Sequence, residues 1–257
     1  MADFREVVFN GHSMLDFGFY LKKGAPAITV PKRNVKIVSI PGSIVGDTFV
    51  DDGNYPNTNI TYSFRSVPSK VPTDNEDILL KELTEWLNKS TSKYVKVYDT
   101  IRPGYSRRGI LTNISDITKN FEGCYDISLT FSVQPYWYSD LGQEARTYSA
   151  FTQENTYPVY NPEKYRSYPY IKISNLDTTD GFTITIGSRS LEISQVNGYV
   201  EIDCETGEVY KGNTPKNQYV TGNKRLYFAT GLNEIEITPD SNTSRYQLQL
   251  TPRWRCF

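Results

Sequence analysis

Histidine occurs once in the 257-residue chain, as His12, and cysteine three times, as Cys124, Cys204 and Cys256. A single imidazole leaves no partner for a histidine metal cluster, and only His12 to serve as base in a Ser-His-Asp arrangement. The cysteines are odd in number and far apart, with no CxxC pair to hold a metal or cycle redox, so reduced thiols in the cytosol are expected. No stretch reaches the roughly 18 unbroken apolar residues of a membrane helix. The opening MADFREVVFNGHSM puts Asp3, Arg5 and Glu6 where an export signal carries a basic end and an apolar run, so no secretory route is expected. Triplets such as Asn59-Ile60-Thr61 then carry no glycosylation signal. An excess of one charge is missing too: 28 basic and 29 acidic residues are interspersed, for a net charge of -1. Neither nucleic-acid recognition nor membrane insertion is expected from that balance.

What the chain has in quantity is aromatic side chains. Twenty Tyr and twelve Phe fit the half-buried faces of sheets, and the length suits two domains. Glu6 to Phe9 followed by Asn10-Gly11 predicts an opening hairpin, because both turn residues tolerate positive φ. From Val30 to Asn59, Pro31, Pro41, Gly42, Gly46, Gly53 and Pro56 interrupt any long ladder, which predicts an extended arm flanking short strands. Ile60, Tyr62 and Phe64 alternate with polar residues, as do Tyr125, Ile127, Leu129, Phe131 and Val133; each is a strand with one buried face. Further strands are expected near Lys93–Tyr98 and Ile110–Ile114. One helix is signalled over about Asp74–Asn88: Thr73 caps, Glu76 reaches back, and Leu79, Leu83, Trp86 and Leu87 recur at helical spacing.

Periodicity lapses from Ser139 to Tyr168, where Pro158 and Pro162 punctuate a tyrosine-rich run, so a connection between domains is expected there. Beyond it the alternation is uniform: Ile171 and Ile173; Phe182, Ile184 and Ile186; Leu191 and Ile193; Val200, Ile202 and Cys204; Ile235 and Ile237; Tyr246, Leu248 and Leu250. Turns are expected at Asp180-Gly181, Asn197-Gly198 and Thr206-Gly207, and together these predict a β-sandwich. The division expected is 1–138, a mainly β domain, β-sandwich-like, with one α-helix and an extended arm; 139–164, a linker; and 165–257, a β-sandwich.

The chemistry-bearing groups are sparse. His12 reads as a turn residue. Asp47, Asp51 and Asp52 near Gly53 do not match the alternating ligands of a calcium loop and read as a solvated turn. Twenty-nine acids offer many carboxylate pairs, too many to single one out for glycoside cleavage. Trp137, Trp254 and the Tyr165, Tyr168, Tyr170 set have two readings, as sugar-stacking platforms of a carbohydrate-binding module or as core and interface aromatics. Arg102, Arg107 and Arg108 around Pro103-Gly104 read as an intersubunit salt-bridge loop. No catalytic, cofactor-binding or metal-ligating residue is nominated, and no enzyme activity is expected.

The Phe9-Asn10-Gly11 turn, IPGSIVGDTFVDDGNYPN, the single helix and Gln134-Pro135-Tyr136-Trp137 follow one another in the first domain. YPYIKISN, LEISQVNGYVEIDCETGEVY, GLNEIEI and TPRWRCF follow in the second. In that order, end to end, they resemble the distal tail proteins of long-tailed, non-contractile bacteriophages. The resemblance implies a first domain that closes head to tail into a homo-hexameric ring and a galectin-like second sandwich outside it. It also implies contacts with the tail tube and tape-measure proteins above, and below with the tail-tip hub or tail-associated lysin-type protein and a receptor-binding protein. The implied location is the distal end of the virion tail, assembled in the bacterial host cytoplasm, and the implied role is scaffolding. The alternative is a carbohydrate-binding module for host-surface adhesion.

Overall fold

Asn10 (φ 49°) and Gly11 (φ 83°) both take positive φ and close a two-residue hairpin in which Phe9 of Val7–Phe9 (β1) faces His12 of His12–Ser13 (β2), the geometry that an Asn-Gly pair allows. The computed structural model describes residues 5–23, 26, 30–42, 44, 46–51, 53–66, 76–89, 93–120 and 123–257, with the backbone only for Glu76, Ile78 and Leu79. The expected Thr73 cap, the helix start at Asp74, the Glu76 and Leu79 side chains, Asp3 and Asp52 lie outside the described residues. The chain divides into two units, Met1–Trp137 with Phe257, and Tyr138–Cys256.

In the first unit Phe19–Leu21 (β3), Val35–Val38 (β4), Thr48–Asp51 (β5) and Thr58–Ser66 (β6) precede the helix Glu76–Lys89 (α1). Val95–Asp99 (β7), Tyr105–Ile114 (β8), Thr118–Lys119 (β9) and Tyr125–Val133 (β10) follow it. The sheet runs β2-β1-β7-β8-β10-β6-β3, antiparallel throughout, with β9 beside β10. Period-two alternation sets its two faces. Phe131, Leu129 and Ile127 of β10 stand opposite Ile60, Tyr62 and Phe64 of β6 on the buried side. On the other face Thr61 bonds Thr130 (2.9 Å), Ser63 bonds Ser128 (3.0 Å), and Arg65 Nε donates to Asp126 (3.0 Å). Register is therefore specified from both sides, since a one-residue slip would exchange the faces.

The helix seals the buried face with Leu83, Trp86 and Leu87, the i, i+3, i+4 stripe that its sequence shows. Trp86 stacks on Phe9 at 4.3 Å and on Phe17 at 5.0 Å between ring centroids. The arm behaves differently. Its strands β4 and β5 pair with each other as a separate ribbon, and the opposed side chains Ile37 and Phe49 are 71% and 70% exposed.

The chain enters the second unit through Trp137–Ser139 (β11), a one-turn helix Asp140–Gln143 (α2), Arg146–Thr147 (β12) and Asn155–Asn161 (β13). The segment 139–164 is thus not the bare connection that its composition suggested. β13 pairs with β21 from Asn155↔Ile237 to Asn161↔Gly231, and its alternation was masked because only Val159 among its apolar residues is fully buried. Then come Tyr170–Asn175 (β14), Asp180–Ile186 (β15), Arg189–Gln195 (β16), Tyr199–Asp203 (β17), Glu208–Lys211 (β18), Thr214–Pro215 (β19), Val220–Gly222 (β20), Gly231–Pro239 (β21), Tyr246–Thr251 (β22) and Arg255–Cys256 (β23). Two antiparallel sheets, β12-β22-β14-β17-β18-β19 and β13-β21-β15-β16-β20, enclose one core that includes Ile171, Phe182, Ile184, Ile235, Tyr246 and Trp254. The protein is mainly β, as the alternation predicts.

Thr206-Gly207 lies in a turn and Asn197-Gly198 in a bend, with Gly198 and Gly207 at φ 80° and 77°. Asp180-Gly181 does neither: both residues open β15. A Cβ on Gly181 would stand 2.0 Å from the Ile193 carbonyl oxygen, so this glycine serves close approach of two backbones rather than positive φ. The Asp180 carboxylate accepts from Ser244 Oγ (2.7 Å) and Thr178 Oγ1 (3.0 Å), which holds it below the usual carboxylate range.

Candidate functional site

His12 lies on β2 with its Nδ1 3.8 Å from Asp16 Oδ2, both side chains mostly exposed, and its ring edge-on to Trp86 at 5.8 Å. Asp51 is taken up inside the arm, paired with Arg33 and accepting from Gly53 N at 2.8 Å. Cys124, Cys204 and Cys256 are free and buried. Burial pushes the Cys204 thiol up to about 12, where the thiolate needed for nucleophilic attack is scarce. Among the described residues, three or more His, Cys, Asp or Glu side chains do not gather as a metal-binding group would, and no described helix is long and apolar enough to cross a membrane.

The aromatic set separates on burial. Trp254 is 1% exposed inside the sandwich core and Trp137 is buried, so neither offers a ring face for stacking on a sugar. Tyr168 and Tyr170 are half-buried and Tyr165 is exposed. Arg107 corrects the reading of the three arginines as one intersubunit salt-bridge loop. It is buried in β8, opposite Val97, with its guanidinium 3.7 Å from the Trp137 ring centre. Arg102 lies over Tyr105 at 4.6 Å and Trp137 at 5.1 Å, and donates to the Phe257 carbonyl at 3.0 Å. A positive charge in an apolar setting is favoured there by the ring faces.

Two polar clusters carried no sequence signal, because their members are distant along the chain. In the first unit Asp99, 2% exposed, accepts from Tyr62 Oη at 2.7 Å and from the backbone N–H of Ile101 and Arg102 at 3.0 and 3.2 Å. Burial and that carboxylate together push the Tyr62 hydroxyl far above its ordinary value, so it stays a donor. In the second unit Arg253 takes φ 57° and grips Asp203 through two bonds of 2.7 and 3.1 Å, with Glu205 at 3.4 Å. Glu205 also accepts from Tyr138 Oη at 2.6 Å, and Arg253 N donates to the Gly142 carbonyl at 2.6 Å. Burial of Asp203 opposes ionisation, yet the guanidinium outweighs it and the net displacement is downward. These clusters tie turns together.

The geometry presents exposed surfaces. Foremost is the β4–β5 ribbon, whose exposed apolar residues Val35, Ile37, Ile40, Ile44, Phe49 and Val50 exceed what an isolated hairpin can bury on itself. At the foot of the ribbon Tyr55 packs against Tyr136 and Phe257.

The architecture is that of a mainly β protein of two parts, a helix-sealed sheet followed by a sandwich. Among solved structures, Dit (gp 19.1) of SPP1, a paradigm of hub adsorption apparatus in phages infecting Gram-positive hosts, has this fold. The two superpose with a TM-score of 0.66 over 98% of this chain and 99% of that one, at 13% sequence identity. No protein-family model matches the sequence, and no curated protein matches it.

Proposed function

We propose that this chain is a structural protein of a bacteriophage tail, forming a ring that joins the tail tube to the tip hub. The likeness in fold to SPP1 Dit over both chains nearly end to end carries the reading, and the exposed ribbon supports ring formation in particular. A cyclic assembly uses two different patches on each subunit, and a ribbon with no core of its own is suited to be one of them. In this reading residues 1–138 form a six-membered ring. The second unit, which begins at Tyr138 and includes β12 and β13, is galectin-like. Tube and tape-measure proteins meet the ring on one side, and the hub or lysin-type protein with a receptor-binding protein on the other, at the distal end of the virion tail after assembly in the host cytoplasm. Binding energy is spread over repeated interfaces, and the protein performs no catalysis. Native mass spectrometry of the purified protein and of particles tests this: six copies are expected. A strict monomer under both conditions overturns the ring.

A further inference from the structure

The second unit is electrically lopsided. The outward positions of the sheet β13-β21-β15-β16-β20 alternate with the core residues Val159, Ile235, Ile237, Phe182, Ile184, Leu191 and Ile193. They carry Glu192, Glu234 and Glu236, with Asp240 just past the end of β21, and threonine, serine and Pro158 between them; no lysine or arginine points out from these strands. Glu234 and Glu236 are two residues apart on one strand, about 7 Å, which is inside the screening length of physiological salt. Partial burial, and after it the charges of Glu192 and Asp180, push the Asp240 carboxyl upward. The outer face of the other sheet is mixed by contrast: Lys172 lies over Tyr199 at 4.4 Å, with Gln247 and Gln249 alongside and Glu201 accepting from Tyr170. At one corner of the acidic face Tyr160 and Leu232 stand opposite each other across β13 and β21, 63% and 70% exposed.

We propose that this face docks a lysine- or arginine-bearing segment of another protein, with an aliphatic or aromatic side chain seated against Tyr160 and Leu232. The carboxylates are spread over separate strands of a sheet face instead of converging, so they match charges spaced along an extended chain better than a single ion. Like charges without counter-charges favour a cationic partner and repel acidic ones, which sets specificity and association rate. The apolar pair supplies the anchor that a purely ionic contact lacks. The proposal does not depend on ring formation.

The test uses the full-length protein and two fluorescent nine-residue peptides, about the length of β21: Lys alternating with Thr and ending in Leu, and the same peptide with Glu for Lys. Anisotropy at about 50 mM salt, where screening is weak, should show saturable binding of the lysine peptide and none of the glutamate peptide. Combining Glu192→Gln, Glu234→Gln and Glu236→Gln should weaken binding at least about tenfold, and Leu232→Ser alone about threefold, with circular dichroism and thermal unfolding unchanged. Glu208→Gln, an exposed acid on the other sheet, should leave it within a factor of two. Absence of binding to the wild type, equal loss in Glu208→Gln, or no loss in the triple variant overturns the proposal. Stoichiometric calcium binding that displaces the peptide at micromolar concentration also overturns it, in favour of an ion site.

Discussion

Replacing Arg253 tests the account of the second unit most sharply, because two opposing terms meet in one residue. The side chains of Arg253 and Asp203 are 12% and 16% exposed and joined by two bonds. Removing one partner of a buried pair costs about 3–5 kcal/mol, and the remaining exposure and the water it admits bring the expectation to about 2–3 kcal/mol. In a unit of this size that lowers its unfolding transition by roughly 10 °C. Arg253 also sits at φ 57°, a conformation that costs a side-chain-bearing residue about 1 kcal/mol more than glycine. Arg253→Gly should therefore be less destabilised than Arg253→Ala by about 1 kcal/mol, the reverse of the order in an ordinary strand. The pH dependence has a definite sign. The Asp203 carboxyl is depressed in the fold, so its contribution is present above the unfolded value near pH 4 and is lost as pH falls through the folded one. Asp203→Asn should lie about 10 °C below wild type at pH 7, and the gap should narrow as pH falls below about 4. Differential scanning calorimetry across this pH range reads all three variants. Arg253→Gly melting below Arg253→Ala would refute the conformational argument, and a gap that persists unchanged in acid would refute the ion pair.

Deleting residues 33–55 should abolish or weaken ring assembly in sedimentation experiments while leaving the second unit's calorimetric transition in place; intact rings would show that the ribbon is not an interface. A fragment of residues 138–256 should be soluble and cooperatively folded, whereas 165–257, which strips β13 from β21, should aggregate in light scattering; equal behaviour would mean that the seven-residue pairing contributes little. Gly142→Ala should cost more than about 3 kcal/mol, because the added Cβ would stand 2.4 Å from the Trp254 backbone nitrogen; a melt within a few degrees of wild type would count against that packing. Reducing-sugar assays on cell-wall and capsular polymers should show no turnover, and turnover lost on replacing one Asp or Glu in a folded variant would establish an enzyme.

Much of the fold is legible in the residues because the relevant physics is local. Alternation places Ile60, Tyr62 and Phe64 on one side of β6, and the Leu83, Trp86, Leu87 stripe marks the face of α1 that Phe9 meets. Asn10-Gly11 was readable because positive φ was the use made of it. Gly181 looked the same and was not, since a glycine kept for backbone approach leaves no different trace in sequence. β13 was hidden by Pro158 and its polar residues, which an edge strand tolerates because part of its backbone faces no partner. Arg107 read as a loop charge because nothing local announces that Trp137, thirty positions away, supplies its ring face. The pairing of Arg253 with Asp203, across fifty residues, is likewise fixed only by folding. For the candidate surfaces, the exposed ribbon was legible in outline as an arm. The acidic face was not, because it is assembled from strands whose order the sequence does not state.

The sheet ends described above have a consequence for crowding. Along the first sheet the terminal strands β2 and β3 are two and three residues long, and in the sandwich β12, β19 and β20 are two, two and three. Strands this short template little further pairing, and the one long end, β13, carries Pro158 at its middle, where a donor is missing from the ladder. Many copies held side by side are thus discouraged from joining edge to edge into fibres. At these ends a neighbour is met by side chains, and the backbone edges left open belong to the four-residue strands β4 and β5 of the ribbon.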